Sequence, residues 1–215
     1  MKSVLLIGVG EFGQMLAEEL NKLGHQIMAV DLSEERVNAV LPYVTDAQIG
    51  DSTDEQFLDS LGVANFDVCF VTISQDFRSS IETTFLLKER GARRVVTRSD
   101  RKVQKQILLR NGADDVIHPK AEMASWAAVR YTGNNISDYI ELDDENSIYE
   151  IPVPEDWDGK TVAEVNLRGK YGINILGFKK GDRLDSHVMP DTVFEGGRGM
   201  LVIGETKALQ KCFKI

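Results

Sequence analysis

Near the start of the chain, Gly8-Val9-Gly10-Glu11-Phe12-Gly13 lies between an apolar run and a helical pattern. Glycines at that spacing have a chemical use. Gly8 permits a tight turn, Gly10 lets backbone approach a pyrophosphate, and Gly13 lets the helix pack closely on the strand before it. The helix start then offers free N–H groups and a partial positive charge to an anion. A second apolar run ends in Asp31, 18 residues beyond Gly13, with Leu32 after it. A carboxylate there accepts from ribose hydroxyls and repels a 2′-phosphate, so NADP is disfavoured. Asp51 and Ser52 follow a third run, in Gly50-Asp51-Ser52-Thr53-Asp54. Asp51 either accepts from an adenine amino group or caps the next helix, and capping is the simpler reading. Thr72, Ile73 and Ser74 close a fourth run and Arg98 a fifth. Strand ends are where open parallel sheets bind ligands, so Arg98 faces either a phosphate or a surface ion pair.

Nothing in the sequence completes a reaction centre around such a nucleotide. A dehydrogenase needs a proton-transfer group beside the nicotinamide. His25 precedes a strand, at the wrong sheet edge. His118 stands before Pro119 at a strand end, and His187 lies in a loop-like stretch. The residues therefore read as a nucleotide sensor and not an enzyme. The rivals are a small NAD-dependent oxidoreductase and a free-standing soluble NAD or redox sensor.

The elements that must position these residues alternate. Strands are expected at Ser3–Ile7, Gln26–Val30, Thr45–Ile49, Phe66–Thr72, Arg94–Arg98 and Asp115–His118. They are Val/Ile-rich with little polar alternation, as in a parallel sheet covered on both faces. Helical stripes lie between them: Phe12, Met15, Leu16, Leu20 and Leu23, then a helix capped by Ser33, a short one from Asp54, one marked by Ile81, Phe85 and Leu86, and one by Val103, Ile107 and Leu108. The order implies an α/β, Rossmann-like, doubly wound parallel sheet over residues 1–118. Residues 119–140 read as one linking helix, and 141–215 as a small α+β module. That module has strands at Ser147–Val153, Gly172–Phe178 and Met200–Ile203, and helices at Thr161–Leu167 and Glu205–Phe213.

Composition sets the outer limits. The 215 residues carry a formal net charge of -9, with no basic excess to meet a phosphate backbone, so no nucleic-acid partner is expected. No stretch reaches the ~18 apolar residues of a membrane span. The two cysteines, Cys69 and Cys212, lack metal-ligand spacing and suit a reducing cytosol.

The chain resembles the regulatory subunits of Ktr/Trk potassium uptake systems, built from an N-terminal and a C-terminal RCK domain. The resemblance spans nearly all of the chain. It rests on the glycine motif, Ala29-Val30-Asp31, Gly50-Asp51-Ser52-Thr53-Asp54, Gly112-Ala113-Asp114 with Ile117-His118-Pro119, and Arg168-Gly169-Lys170-Tyr171-Gly172. It implies a cytoplasmic protein, peripheral on the inner face of the membrane. Homodimers would form an octameric ring docked on a membrane-embedded potassium-translocating subunit. The ligand would be NAD(H), ATP or ADP, and the linking helix would be the family's crossover helix.

Two positions depart from the family pattern. Glu11 stands where Arg is usual, and Lys120 where an acid is usual. The two either pair across subunits or are plain solvent-facing charges. A carboxylate beside a triphosphate is repulsive, which puts strong ATP gating in doubt. The resemblance also implies a cyclic di-adenosine monophosphate site in the C-terminal module. Its positions would be Val162, Ala163, Asn166, Leu167, Arg168, Gly169, Asn174, Ile175 and Pro190. Arg168 would meet phosphate, while Leu167, Ile175 and Pro190 would bed the adenine. The other reading of these positions is a hydrophobic dimer face.

Overall fold

A computed structural model describes every residue except Asn134 and Ile215. The chain divides into two compact units, Met1–Ala121 and Glu122–Ile215.

In the first unit the order is β1 (Ser3–Ile7), α1 (Glu11–Lys22), β2 (Gln26–Asp31), α2 (Glu34–Val40), β3 (Asp46–Ile49), α3 (Glu55–Leu61), β4 (Val68–Val71), α4 (Phe77–Glu89), β5 (Val95–Arg98), α5 (Lys102–Arg110) and β6 (Asp115–Ile117). All strand pairs are parallel, in the order β3-β2-β1-β4-β5-β6. The order reverses between β1 and β4, which opens a crevice at their carboxyl ends. Alternate residues of β1 serve opposite cores. Leu5 and Ile7 join Val30, Leu58 and Leu87 on one face. Val4 and Leu6 join Ala17, Leu20 and Val40 on the other. Burial on both faces explains the missing polar alternation.

The helix stripes differ from the apolar periodicity. The buried face of α1 is Gly13, Ala17 and Leu20, while Met15 and Leu23 are exposed. Close approach to the sheet selects small residues there over large ones. In α4 the buried face is Ser80, Thr83, Thr84 and Leu87, and Phe85 is exposed. The threonine hydroxyls are satisfied: Thr83 pairs with Ser52 at 2.8 Å, and Thr84 donates to the Ser80 carbonyl at 2.6 Å. In α5, Leu108 is buried and Val103 exposed.

The expected helix over 119–140 is shorter. Helix α6 spans Pro119–Thr132, and Asp138–Glu141 is a strand, β7. A glycine at 133 and a left-handed Asn135 (φ 63°) turn the chain. The i, i+4 pair Ile136 and Ile140 mimics a helix, but Tyr139 stacks on Tyr149 at 5.7 Å across a strand pair, so tertiary pairing overrides the local pattern.

The second unit continues with β8 (Asn146–Pro152), α7 (Val162–Val165), α8 (Leu167–Tyr171), β9 (Asn174–Lys180), β10 (Arg183–Asp185), β11 (Gly199–Glu205) and α9 (Thr206–Phe213). Its antiparallel sheet runs β10-β9-β11-β8-β7. Phe178, Phe194, Met200 and Leu209 lie at its core, with Trp126 and Val129 of α6 packed against it. Among the described residues no helix is long and apolar enough to cross a membrane.

Candidate functional site

The glycine turn is clamped from three sides. Gly8 has φ +88°, and a Cβ there would stand 2.9 Å from the Ile73 nitrogen. A Cβ on Gly13 would overlap the Gly8 carbonyl oxygen. The Thr72 hydroxyl donates to the Gly8 carbonyl and, at 3.2 Å, to that of Ile7. Asp31, at the end of β2, completes the clamp. One carboxylate oxygen accepts from the Val9 N–H at 2.8 Å and the other from the Ser33 N–H at 2.9 Å. Each oxygen keeps a further lone pair.

Gly10 is different. It is extended at the N-cap of α1, and a Cβ on it would meet nothing within 4 Å. Neither packing nor dihedral strain requires glycine there. No side chain caps α1, so the amides of its first turn are left for a ligand or water. In front of them lies a cavity of about 780 Å³, within the ~300–1,000 Å³ of small-molecule sites. Gly8, Gly10, Glu11, Asp31, Leu32, Asp51, Ser52, Thr72, Ile73, Ser74, Arg98 and Lys120 all line it. The expected site residues that stay outside it support the turn instead. Val9 is buried and gives its N–H to Asp31, and Gly13 packs α1 on the sheet. Phe12 lies under the Arg98 guanidinium, 5.1 Å from ring centre to carbon.

At the far wall Arg98 reaches Asp100 at 3.1 Å, and Lys120 reaches the other oxygen of Asp100 at 3.1 Å. The Arg98 Nε is buried with no hydrogen-bond partner among the described residues. Burial works to raise the Asp100 carboxyl, but the bonds from Lys120 and Arg98 outweigh it and hold the group below its ordinary range. Asp51 does not cap a helix. It accepts from the Thr53 N–H and hydroxyl at 2.8 and 2.7 Å, and Asp54 is the N-cap of α3. The cavity also takes in Gln14, Ser33, Arg36, Asp76 and Asp100, which the sequence reading missed. Gln14 lies one turn along α1 from Gly10, and Asp100 two residues past Arg98. Their spacing from the recognised residues was the available signal. Among the described residues no group of three or more His, Cys, Asp or Glu could hold a metal ion.

Residues 4–119 match the TrkA-N domain family and residues 147–215 the TrkA-C domain family. Ktr system potassium uptake protein C of Bacillus subtilis (strain 168) is 34% identical over 210 residues, covering 98% of this chain and 95% of the relative. The chain belongs to the TrkA/Ktr family of potassium uptake proteins. Ktr system potassium uptake protein A of the same organism is 33% identical, with the same coverage. The fold is that of the GsuK RCK domain (TM-score 0.70, 18% identity, 99% of this chain and 47% of that one). It also matches the GsuK channel bound to NAD (TM-score 0.65, 19% identity, 97% and 38%). The chain spans less than half the length of these two structures.

In the TrkA-C domain, Leu167 is 3% exposed and packs within the core. Its side chain is consumed by packing at the start of α8. Asn166 is left-handed (φ 51°) and caps α8 by accepting from the Gly169 N–H at 3.1 Å. A Cβ on Gly169 would stand 2.6 Å from that cap, which couples the two residue types. Arg168, Asn174 and Pro190 are exposed and Ile175 is half-buried. Ala163 and Val162 donate backbone N–H groups to Pro190 and Thr192 at 2.8 and 2.9 Å.

Gly13→Ala is expected to cost about 1–3 kcal/mol through overpacking, read as a lower urea midpoint. Gly10→Ala, with open space in front of it, is expected to cost under about 1 kcal/mol, for the poorer cap. Equal losses would contradict the division of roles. A second expectation concerns Asp100. A depressed folded carboxyl contributes fully above the unfolded value of about 3.9 and loses its contribution as pH falls through the lower folded value. Asp100→Asn is therefore less stable at neutral pH, and its gap to the wild-type urea midpoint closes as the pH drops below about 4. A pH-independent gap would contradict the triad.

Proposed function

We propose that the chain is a nucleotide-sensing regulatory subunit of a potassium uptake system and not an enzyme. The observation that carries this reading is the cavity at the reversal of strand order, floored by the uncapped first turn of α1 and walled by Asp31. A pyrophosphate lies on the free amides there, and a ribose offers its hydroxyls to the remaining lone pairs of Asp31. Arg98 meets a phosphate oxygen across Phe12. The ligand is an adenine nucleotide: NAD(H), ATP or ADP. The NAD-bound GsuK channel, a relative in fold, supports the class.

Regulation follows from placement. Lys120 lines the cavity and lies in the first turn of α6, whose later turns belong to the second unit. A ligand that competes for Lys120 or its partner Asp100 alters the energy of that first turn. If two assembly states differ there, occupancy shifts their populations, and ~1–3 kcal/mol of coupling is a useful bias. The assembly in this reading is an octameric ring of homodimers. It sits on the inner face of the membrane against a potassium-translocating subunit. The C-terminal unit adds cyclic di-adenosine monophosphate as a second ligand, with Arg168 facing its phosphate.

Asp31→Ala tests the site. With the fold verified by circular dichroism, it is expected to weaken nucleotide binding by at least about tenfold, the loss of one good hydrogen-bonded contact to a charged group. It is also expected to fail to restore potassium-limited growth to a strain lacking the chain. Unchanged affinity by titration calorimetry would reject the site, and full rescue of growth by a variant that no longer binds would reject the regulatory role.

A further inference from the structure

The cavity has an uneven charge balance. Five carboxylates line it, those of Glu11, Asp31, Asp51, Asp76 and Asp100, against the three cations Arg36, Arg98 and Lys120. Every cation already has an acidic neighbour. Arg36 is 3.8 Å from Asp31, while Arg98 and Lys120 share Asp100 at 3.1 Å each. Two of the acids are turned to local structure. Asp76 caps α4, accepting from the N–H groups of Arg78 and Ser79 at 3.0 and 3.3 Å, and Asp51 holds Thr53 at 2.8 Å. Glu11 is the exception. It is the exposed first residue of α1, and its carboxylate makes no ion pair or hydrogen bond with another described residue.

That position matters because of what lies beside it. The first turn of α1 attracts a phosphate through its amides and the partial charge of the helix end. Glu11 sets a full negative charge within the same turn. We propose that this cavity selects adenine nucleotides of low charge, a dinucleotide such as NAD in preference to ATP, with Glu11 as the residue that sets the preference. The proposal rests on the nucleotide reading of the cavity. In oxidised NAD the nicotinamide cation offsets one of the two phosphate charges. ATP brings a third phosphate into a site whose cations are already shared with carboxylates. The added charge is repelled by Glu11 and by the unbalanced acids around it. Repulsion between groups open to solvent weakens as salt rises, so the preference carries an ionic-strength signature.

The test is titration calorimetry of the full chain with NAD, ADP and ATP, the last with and without magnesium, at low and physiological ionic strength. NAD is expected to bind at least about tenfold more tightly than ATP in either metal condition at low salt, a ratio that Coulomb repulsion from a nearby carboxylate supplies. Glu11→Gln is expected to raise ATP affinity by more than NAD affinity, so that the ratio falls several-fold, and added salt should narrow the wild-type ratio. ATP binding as tightly as NAD in either magnesium condition would overturn the proposal. A ratio that Glu11→Gln leaves intact would overturn the assignment to Glu11. Should that variant not fold, the wild-type salt series still decides, since a salt-independent ratio contradicts charge selection. Absence of binding by any nucleotide is a separate failure, that of the cavity reading itself.

Discussion

The bonds from Val9 and Ser33 to one carboxylate hold two turns of this protein together. Asp31 sits at the end of β2 and ties down the turn after β1 and the turn that opens α2. With Thr72 bonded to the Gly8 carbonyl from β4, the glycine turn is fixed to the strands on both sides of it. The turn then presents the amides of α1 in a set direction. An anion site made of backbone needs that fixity, because amides that can swing pay in ordering entropy what they gain in binding.

The same arrangement explains which glycines are structural and which face the cavity. Gly8 and Gly13 are required by the chain itself, through a positive φ and through contact with a carbonyl. Gly10 is not, and its bare side faces the cavity. Across from it, Arg98 is pinned between the Phe12 ring and Asp100, with Lys120 on the same acid. The cavity wall is thus joined to the start of α6 by a charge network. Such a network responds to the arrival of a charged ligand more readily than a packed core would.

Much of the first unit was legible because its strands are buried on both faces and its turns carry the required residue types. The β1–α1 turn, Asp31 and the strand ends at Thr72 and Arg98 could be read from spacing alone. Helix faces were less legible. Met15, Leu23 and Phe85 look like core residues by periodicity, yet close helix–sheet packing prefers Gly13, Ala17 and Thr83. A short strand was misread as helix because Ile136 and Ile140 share helical spacing, and only the pairing of Tyr139 with Tyr149 decides otherwise. Asp51 resembled a cap for a local reason, three residues ahead of the true cap, Asp54. Asp100 and Arg36 belong to no motif, and their nearness in sequence to Arg98 and Asp31 is the one signal that places them at the cavity.

Amide hydrogen exchange on the full chain, with and without NAD, probes the clamped turn most directly. The segments 8–14, 31–36 and 98–104 are expected to gain protection together when the nucleotide binds, since one cavity joins them. Bound NAD with unchanged exchange in these three segments, or with protection confined to the second unit, would contradict the turn as the seat of recognition.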